Sequence, residues 1–135
     1  MKQYCYSAQG RDLALFLLRL AAGAVFIYHG WLKLDDMQAT QAFFESLNIP
    51  VVAVAAWVVA LVEFVGGIAL VLGVHARSGA FLLGINMIVA LLVAHLGKPF
   101  LAAELPLVLL GAMFVVWTHG AGAWRLMKQE WFFRQ

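Results

Sequence analysis

Residues 51–74 read VVAVAAWVVALVEFVGGIALVLGV, and a single charged side chain, Glu63, interrupts them. A bilayer-spanning helix needs ~20 mostly apolar residues. Pro50 precedes this stretch and the tight turn His75-Ala76-Arg77-Ser78 follows it, so it reads as one complete span. Working outward, three more windows qualify: residues 13–32, 79–96 and 100–118. The last tolerates Glu104 at its edge and Pro106 in its first turn. Composition agrees: 64% of the 135 residues are hydrophobic and 12% are charged, against ~45–50% and ~25% in an average soluble domain. These values exclude a soluble globular domain, a disordered tail and a nucleic-acid module. A net charge of +2 is too small to imply a polyanionic partner. The expected fold class is all-α integral membrane, one four-transmembrane-helix bundle over residues 1–135.

The connections suit that reading. Residues 34–49 fit a short amphipathic helix in the first outer loop, with Asp35 or Asp36 as N-cap. Met37, Phe44 and Leu47 lie near one face of it, and Phe43 widens that face. Gly97-Lys98-Pro99 ends the third span. In the tail, residues 121–135, Trp124, Met127 and Trp131 share a stripe, with Arg125, Lys128 and Arg134 largely off it. That is the pattern of an interfacial helix in the headgroup plane. Lys2, Arg11, Arg77, Arg125, Lys128 and Arg134 fall on one side of the membrane, against Lys33 and Lys98 on the other. The positive-inside rule then puts both termini in the cytoplasm.

Cys5 is the one cysteine, so no internal disulfide forms and a single-chain dithiol relay is excluded. Chemistry would sit at polar groups within the spans, where a charge costs ~2.5–3.5 kcal/mol and therefore faces the protein interior and pairs. Counted from the inner helix ends at ~1.5 Å per residue, Arg19 lies ~9 Å deep, Asn86 ~10 Å and Glu63 ~15 Å. The expectation is an Arg19–Glu63 ion pair, with Asn86 taking the remaining hydrogen bonds. Such a pair fixes helix register; it equally lines a cavity and holds a polar head such as a quinone carbonyl. The same arithmetic puts His29 and His95 at one depth, ~24 Å up their helices, beside Lys33 and Lys98. Two histidines at one level suit proton transfer to a quinone or haem ligation, while capping of helix ends is their plainer use. Haem ranks lowest, and no metal site is assigned. Gly66-Gly67, one turn after Glu63, admits a neighbouring helix closely or leaves room for a flat ligand. No P-loop, zinc-protease signature or nucleophile triad is evident.

Several segments in order resemble the DoxX family of small bacterial four-helix membrane proteins. They are Leu18-Arg19-Leu20, Gly23, Phe26, Tyr28-His29-Gly30 and Lys33-Leu34 in the first span, then Ser46-Leu47-Asn48-Ile49-Pro50. Here Asn48 stands where the family usually has glycine. Glu63-Phe64-Val65-Gly66-Gly67, Leu70-Val71-Leu72-Gly73 and Ala76-Arg77 follow, then Asn86-Met87-Ile88-Val89-Ala90 and His95, and finally Thr118-His119-Gly120-Ala121-Gly122. The resemblance implies a multi-pass protein of the bacterial cytoplasmic membrane. It also implies a role in a quinone-linked redox, redox-stress or maturation complex. Matching positions carried over as a candidate site are Arg19, His29, Lys33, Glu63, Gly66, Gly67, Arg77 and His95.

Three functions compete on these grounds. In the first, the chain is the membrane subunit of an oxidoreductase with a soluble or membrane redox partner. Glu63, His29 and His95 would then be catalytic, and Arg19, Lys33, Glu63, Gly67 and Asn86 would hold the quinone. In the second, it is a non-enzymatic scaffold or anchor recruiting a soluble partner through the basic tail and the Arg77 turn. In the third, it is a small transporter, for which four short helices need a homodimer. A haem protein using His29 and His95 comes last.

Overall fold

The computed structural model describes residues 8–126. Four helices are long and apolar enough to cross a membrane. They are α1 (Ala8–Asp35), α3 (Val52–Leu72), α4 (Ala76–Ala90) with the π-helical turn Leu91–His95 that continues it, and α5 (Phe100–His119). The short helix α2 (Met37–Ser46) links the first two. Its N-cap is Asp36, whose carboxylate accepts the Ala39 N–H at 2.9 Å. Phe44 is buried while Phe43 stays exposed, so one face of α2 docks and the other is left open. Asn48 ends the linker turn with φ +55°. Glycine or asparagine enters that left-handed region most cheaply.

Three expected boundaries move. Helix α1 has 28 residues and is about 42 Å long, because Gln9, Gly10, Arg11 and Asp12 continue the helical run below the apolar window. Helix α4 begins at Ala76, so Ala76, Arg77 and Ser78 form its first turn rather than the connection. The connection is residues 73–75: Gly73 (φ +69°) closes α3, with Gly73 N–H donating to Leu70 O at 3.2 Å and Val74 N–H to Ala69 O at 3.0 Å. The expected tail helix does not form over residues 121–126, which are irregular; residues 127–135 lie outside those described. Trp124 instead sets its ring edge-on to Phe16 at 5.1 Å, and the Leu126 N–H donates to Leu72 O at 3.1 Å. The chain thus folds back under α1 and α3.

Between helices in lipid there is little hydrophobic driving force, so small residues that let backbones approach do the packing. The diglycine serves two partners. A Cβ on Gly67 would lie 2.8 Å from the Gly23 carbonyl on α1, and a Cβ on Gly66 would meet Leu83 of α4 at 3.1 Å. Gly30 is tighter, with Phe64 N 2.5 Å from where its Cβ would be. These contacts set α1 antiparallel to α3, with Gly30 facing Phe64 and Gly23 facing Gly67 and Val71. Leu70, Leu83, Met113 and Val116, all almost wholly buried, fill the bundle on the Gly73 side. At the other end α2 has close backbone neighbours in α1 and α3.

Overpacking a tight core costs ~1–3 kcal/mol. Gly30→Ala is therefore expected to lower the melting temperature of the purified protein by several degrees. Gly111→Ala, whose Cβ meets nothing within 4 Å, should leave it unchanged or slightly raised. Thermal denaturation in one detergent checks both.

Candidate functional site

A cavity of about 340 Å³ is walled by α1, α2, α3, α4, the π-helical turn and α5. Its lining is apolar except for His29, Lys33, Glu63, Asn86 and His95. Glu63 is the hub. It is 4% exposed and stands 11 residues from Val52 and nine from Leu72. Those spacings put it about 16 and 14 Å from the two ends of α3, at mid-span. Its Oε2 lies 2.5 Å from Lys33 Nζ, and its Oε1 accepts from Asn86 Nδ2 at 2.8 Å. A carboxylate in this position requires such donors, since desolvation is costly unless paired. Thr40 holds the lysine's helix end in place: its buried hydroxyl lies 3.2 Å from Lys33 O and 3.0 Å from Asp36 O, tying α2 to the last turn of α1.

The two histidines are held alike. His29 Nδ1 lies 2.9 Å from Val25 O, and His95 Nδ1 lies 2.8 Å from Ala90 O. A carbonyl only accepts, so each Nδ1 donates to it, an arrangement that in the neutral ring leaves Nε2 as a lone-pair acceptor. His29 uses the carbonyl four residues back, as an ordinary helix allows. His95 uses the one five residues back, the spacing of the π-helical turn it closes.

Arg19 does not pair with Glu63. Its guanidinium donates to Leu70 O at 3.3 Å and to Trp124 O, and it sits over the Phe16 ring at 5.9 Å. It bonds a last-turn carbonyl of α3 and fastens the folded-back tail, a structural task at the opposite end of the bundle. The depth arithmetic fails because it starts α1 at Leu13 level with the end of α3. The glycine contacts instead set Arg19 beside Leu70 and Gly73, with the first turns of α1 projecting beyond. Glu63 is therefore reached from one turn past Gly30, where Lys33 is. The same error put His29 and His95 at one depth. His29 adjoins Gly30, which faces Phe64 next to Glu63. His95 is nine residues beyond Asn86, about 13 Å farther along α4 and its π-helical turn.

Of the expected site residues, the structure brings His29, Lys33, Glu63, Asn86 and His95 to one chamber. Gly67 faces α1 instead. Sequence reading missed the apolar walls, Phe26, Phe44 and Leu109 among them, and the part of Pro106. That proline lies in the second turn of α5 and lines the cavity. Its missing N–H was the one signal available for it.

A family profile for DoxX matches residues 14–96, a range that includes all five polar cavity residues and stops before α5. A protein of Bacillus subtilis (strain 168) named "Putative oxidoreductase CatD" is 32% identical over 90 residues, which are 67% of this chain and 66% of the relative. The chain thus spans about two thirds of the length of the curated relative it matches. No solved structure matches.

Breaking a buried ion pair from one side costs ~3–5 kcal/mol, while replacing both partners by apolar residues is often neutral. Lys33→Met is expected to destabilise the fold by about 3 kcal/mol, the low end because Lys33 is partly exposed. The double variant Lys33→Met, Glu63→Leu should recover most of that loss. Equilibrium unfolding in mixed micelles reads both.

Proposed function

From the premise that the chain belongs to the DoxX family and is a multi-pass membrane protein, we propose that it is the membrane subunit of a quinone-linked redox complex of the bacterial cytoplasmic membrane. In this reading the chamber around Glu63 receives the quinone ring. The observation that carries it is a mid-membrane, mainly apolar chamber whose five polar side chains match a ring bearing two carbonyls. A volume of about 340 Å³ is at the small end of the ~300–1,000 Å³ of ligand pockets, and suits one ring.

The hydrogen-bond inventory fits that ring. An ammonium has three N–H donors and an amide NH₂ two. After serving Glu63, Lys33 keeps two and Asn86 keeps one for carbonyl oxygens. In the neutral imidazole the Nε2 lone pair of His29, beside Glu63, accepts from a hydroxyl, the group a reduced ring presents, while His95 lines the chamber farther along. A bound quinone supplies two-electron, two-proton redox chemistry, with the electrons delivered by a redox partner protein. This chain's part is to bind and orient the ring, to exclude water with apolar walls, and to take or give protons at Nε2. Glu63 acts on the ring through Lys33 and Asn86, holding both donors in place. The partial match to a relative named as an oxidoreductase supports the redox class.

The test is equilibrium binding of decyl-ubiquinone to the purified protein in nanodiscs, read by tryptophan quenching. Glu63→Gln is expected to weaken binding at least tenfold while the protein stays folded. Arg19→Lys, at the other end of the bundle, should leave affinity within twofold. Loss of fold in parallel with loss of binding would make the Glu63 cluster purely architectural. The chain would then be better described as a scaffold for its partner.

A further inference from the structure

Exposure is graded across the chamber. Phe26, Glu63, Met87 and Leu109, on its inner walls, are 1%, 4%, 5% and 7% exposed. Lining residues on the other side are open: Phe43 of α2 is 49% exposed, Val89 of α4 46%, Leu105 of α5 43% and Val93 of the π-helical turn 41%. Among the described residues no Cα of α2 comes within 8 Å of one in α4, α5 or the π-helical turn. The chamber therefore has a mouth, and these apolar residues form its rim. Leu105 stands five residues inside α5, about 7 Å from that helix's start, so the rim belongs to the membrane-spanning part of the chain. Backbone irregularity clusters here too. The π-helical turn lies on one wall, and Pro106 on another offers no N–H to Ala102, itself a lining residue. Irregular backbone at membrane depth is tolerated where it lines a cavity.

We infer that this mouth opens sideways into the acyl layer, and that the ligand is a bilayer-dissolved molecule whose ring sits by Glu63 and whose linear apolar tail leaves between Val93 and Leu105. The inference rests on the quinone reading and narrows it to long-tailed, membrane-resident quinones as opposed to small water-soluble ones. A charged or hydroxylated ligand arriving from water meets no polar group at this rim. An alkyl or isoprenoid tail meets only surfaces like those of the lipid around it.

Two probes separate the cases: 2,3-dimethoxy-5-methyl-1,4-benzoquinone without a tail, and the same ring with a decyl tail. Each is titrated into wild-type protein and into the Val93→Trp, Leu105→Trp variant in nanodiscs, so that partitioning cancels within each probe. The expected result is at least a tenfold loss for the tailed probe and less than a twofold change for the tail-less ring. Leu92→Trp, on an exposed neighbour that does not line the chamber, should affect neither. Val93→Phe provides a milder plug should the double variant fail to fold. Equal loss of both probes at an unchanged melting temperature, or no loss of either, overturns the lateral mouth and leaves the quinone reading standing. If neither probe binds the wild type, the quinone reading falls and the mouth falls with it.

Discussion

A carboxylate at the middle of a membrane span is the constraint on which the rest of this molecule depends. Glu63 is surrounded by helices and cut off from water, and it is held by two donors from two other helices. Lipid offers it nothing, so the bundle must bring Lys33 and Asn86 to one height. That requirement fixes α1 and α4 against α3 in both rotation and register. The glycines supply the means. Gly30 and Gly67 let α1 approach until Lys33 reaches the carboxylate, and Gly66 admits Leu83 so that Asn86, one turn later, arrives beside it.

The contrast between a close-packed core and a hollow chamber follows from the same packing. Where side chains interdigitate around Leu70, Leu83 and Met113 there is no room for a ligand. Where α1 stops and α2 turns aside, α5 keeps α4 and its π-helical turn as its packing partners, and the gap beside them becomes the chamber. The polar groups sit at its walls because those helix faces are shielded from lipid. A site of this kind is a by-product of helix lengths as much as of side-chain choice: a longer α1 would fill the space.

Much of this was legible in the residues, and the failures share one cause. Four spans, the Asp36 cap, the packing use of Gly66-Gly67 and the Asn86–Glu63 hydrogen bond follow from local pattern and from the cost of charge in lipid. The partner of Glu63 does not. Arg19 and Lys33 are both basic, both on α1 and both able to neutralise it. Choosing between them needs the offset between two helices, and that offset depends on backbone contacts at glycines that no count from helix ends reveals. The folded-back tail is similar. Its stripe of Trp124 and Met127 is compatible with an interfacial helix, yet the Arg19 guanidinium takes the Trp124 carbonyl and draws this stretch under the bundle. The lateral mouth was out of reach as well, because it arises from how far the backbone of α2 stands from α4 and α5.

The tethered histidines have one more consequence. Each ring gives its Nδ1 proton to a backbone carbonyl as a hydrogen bond, and an amide oxygen has no practical capacity to take that proton over. Such an imidazole works like a terminal in place of a wire. Charge picked up at Nε2 must leave by Nε2, on the same side from which it came. Neither ring can hand a proton through itself into the helix behind it, so traffic reaching His29 or His95 returns by the way it arrived. In this arrangement neither imidazole is a through-ring relay between the chamber and the helix behind it.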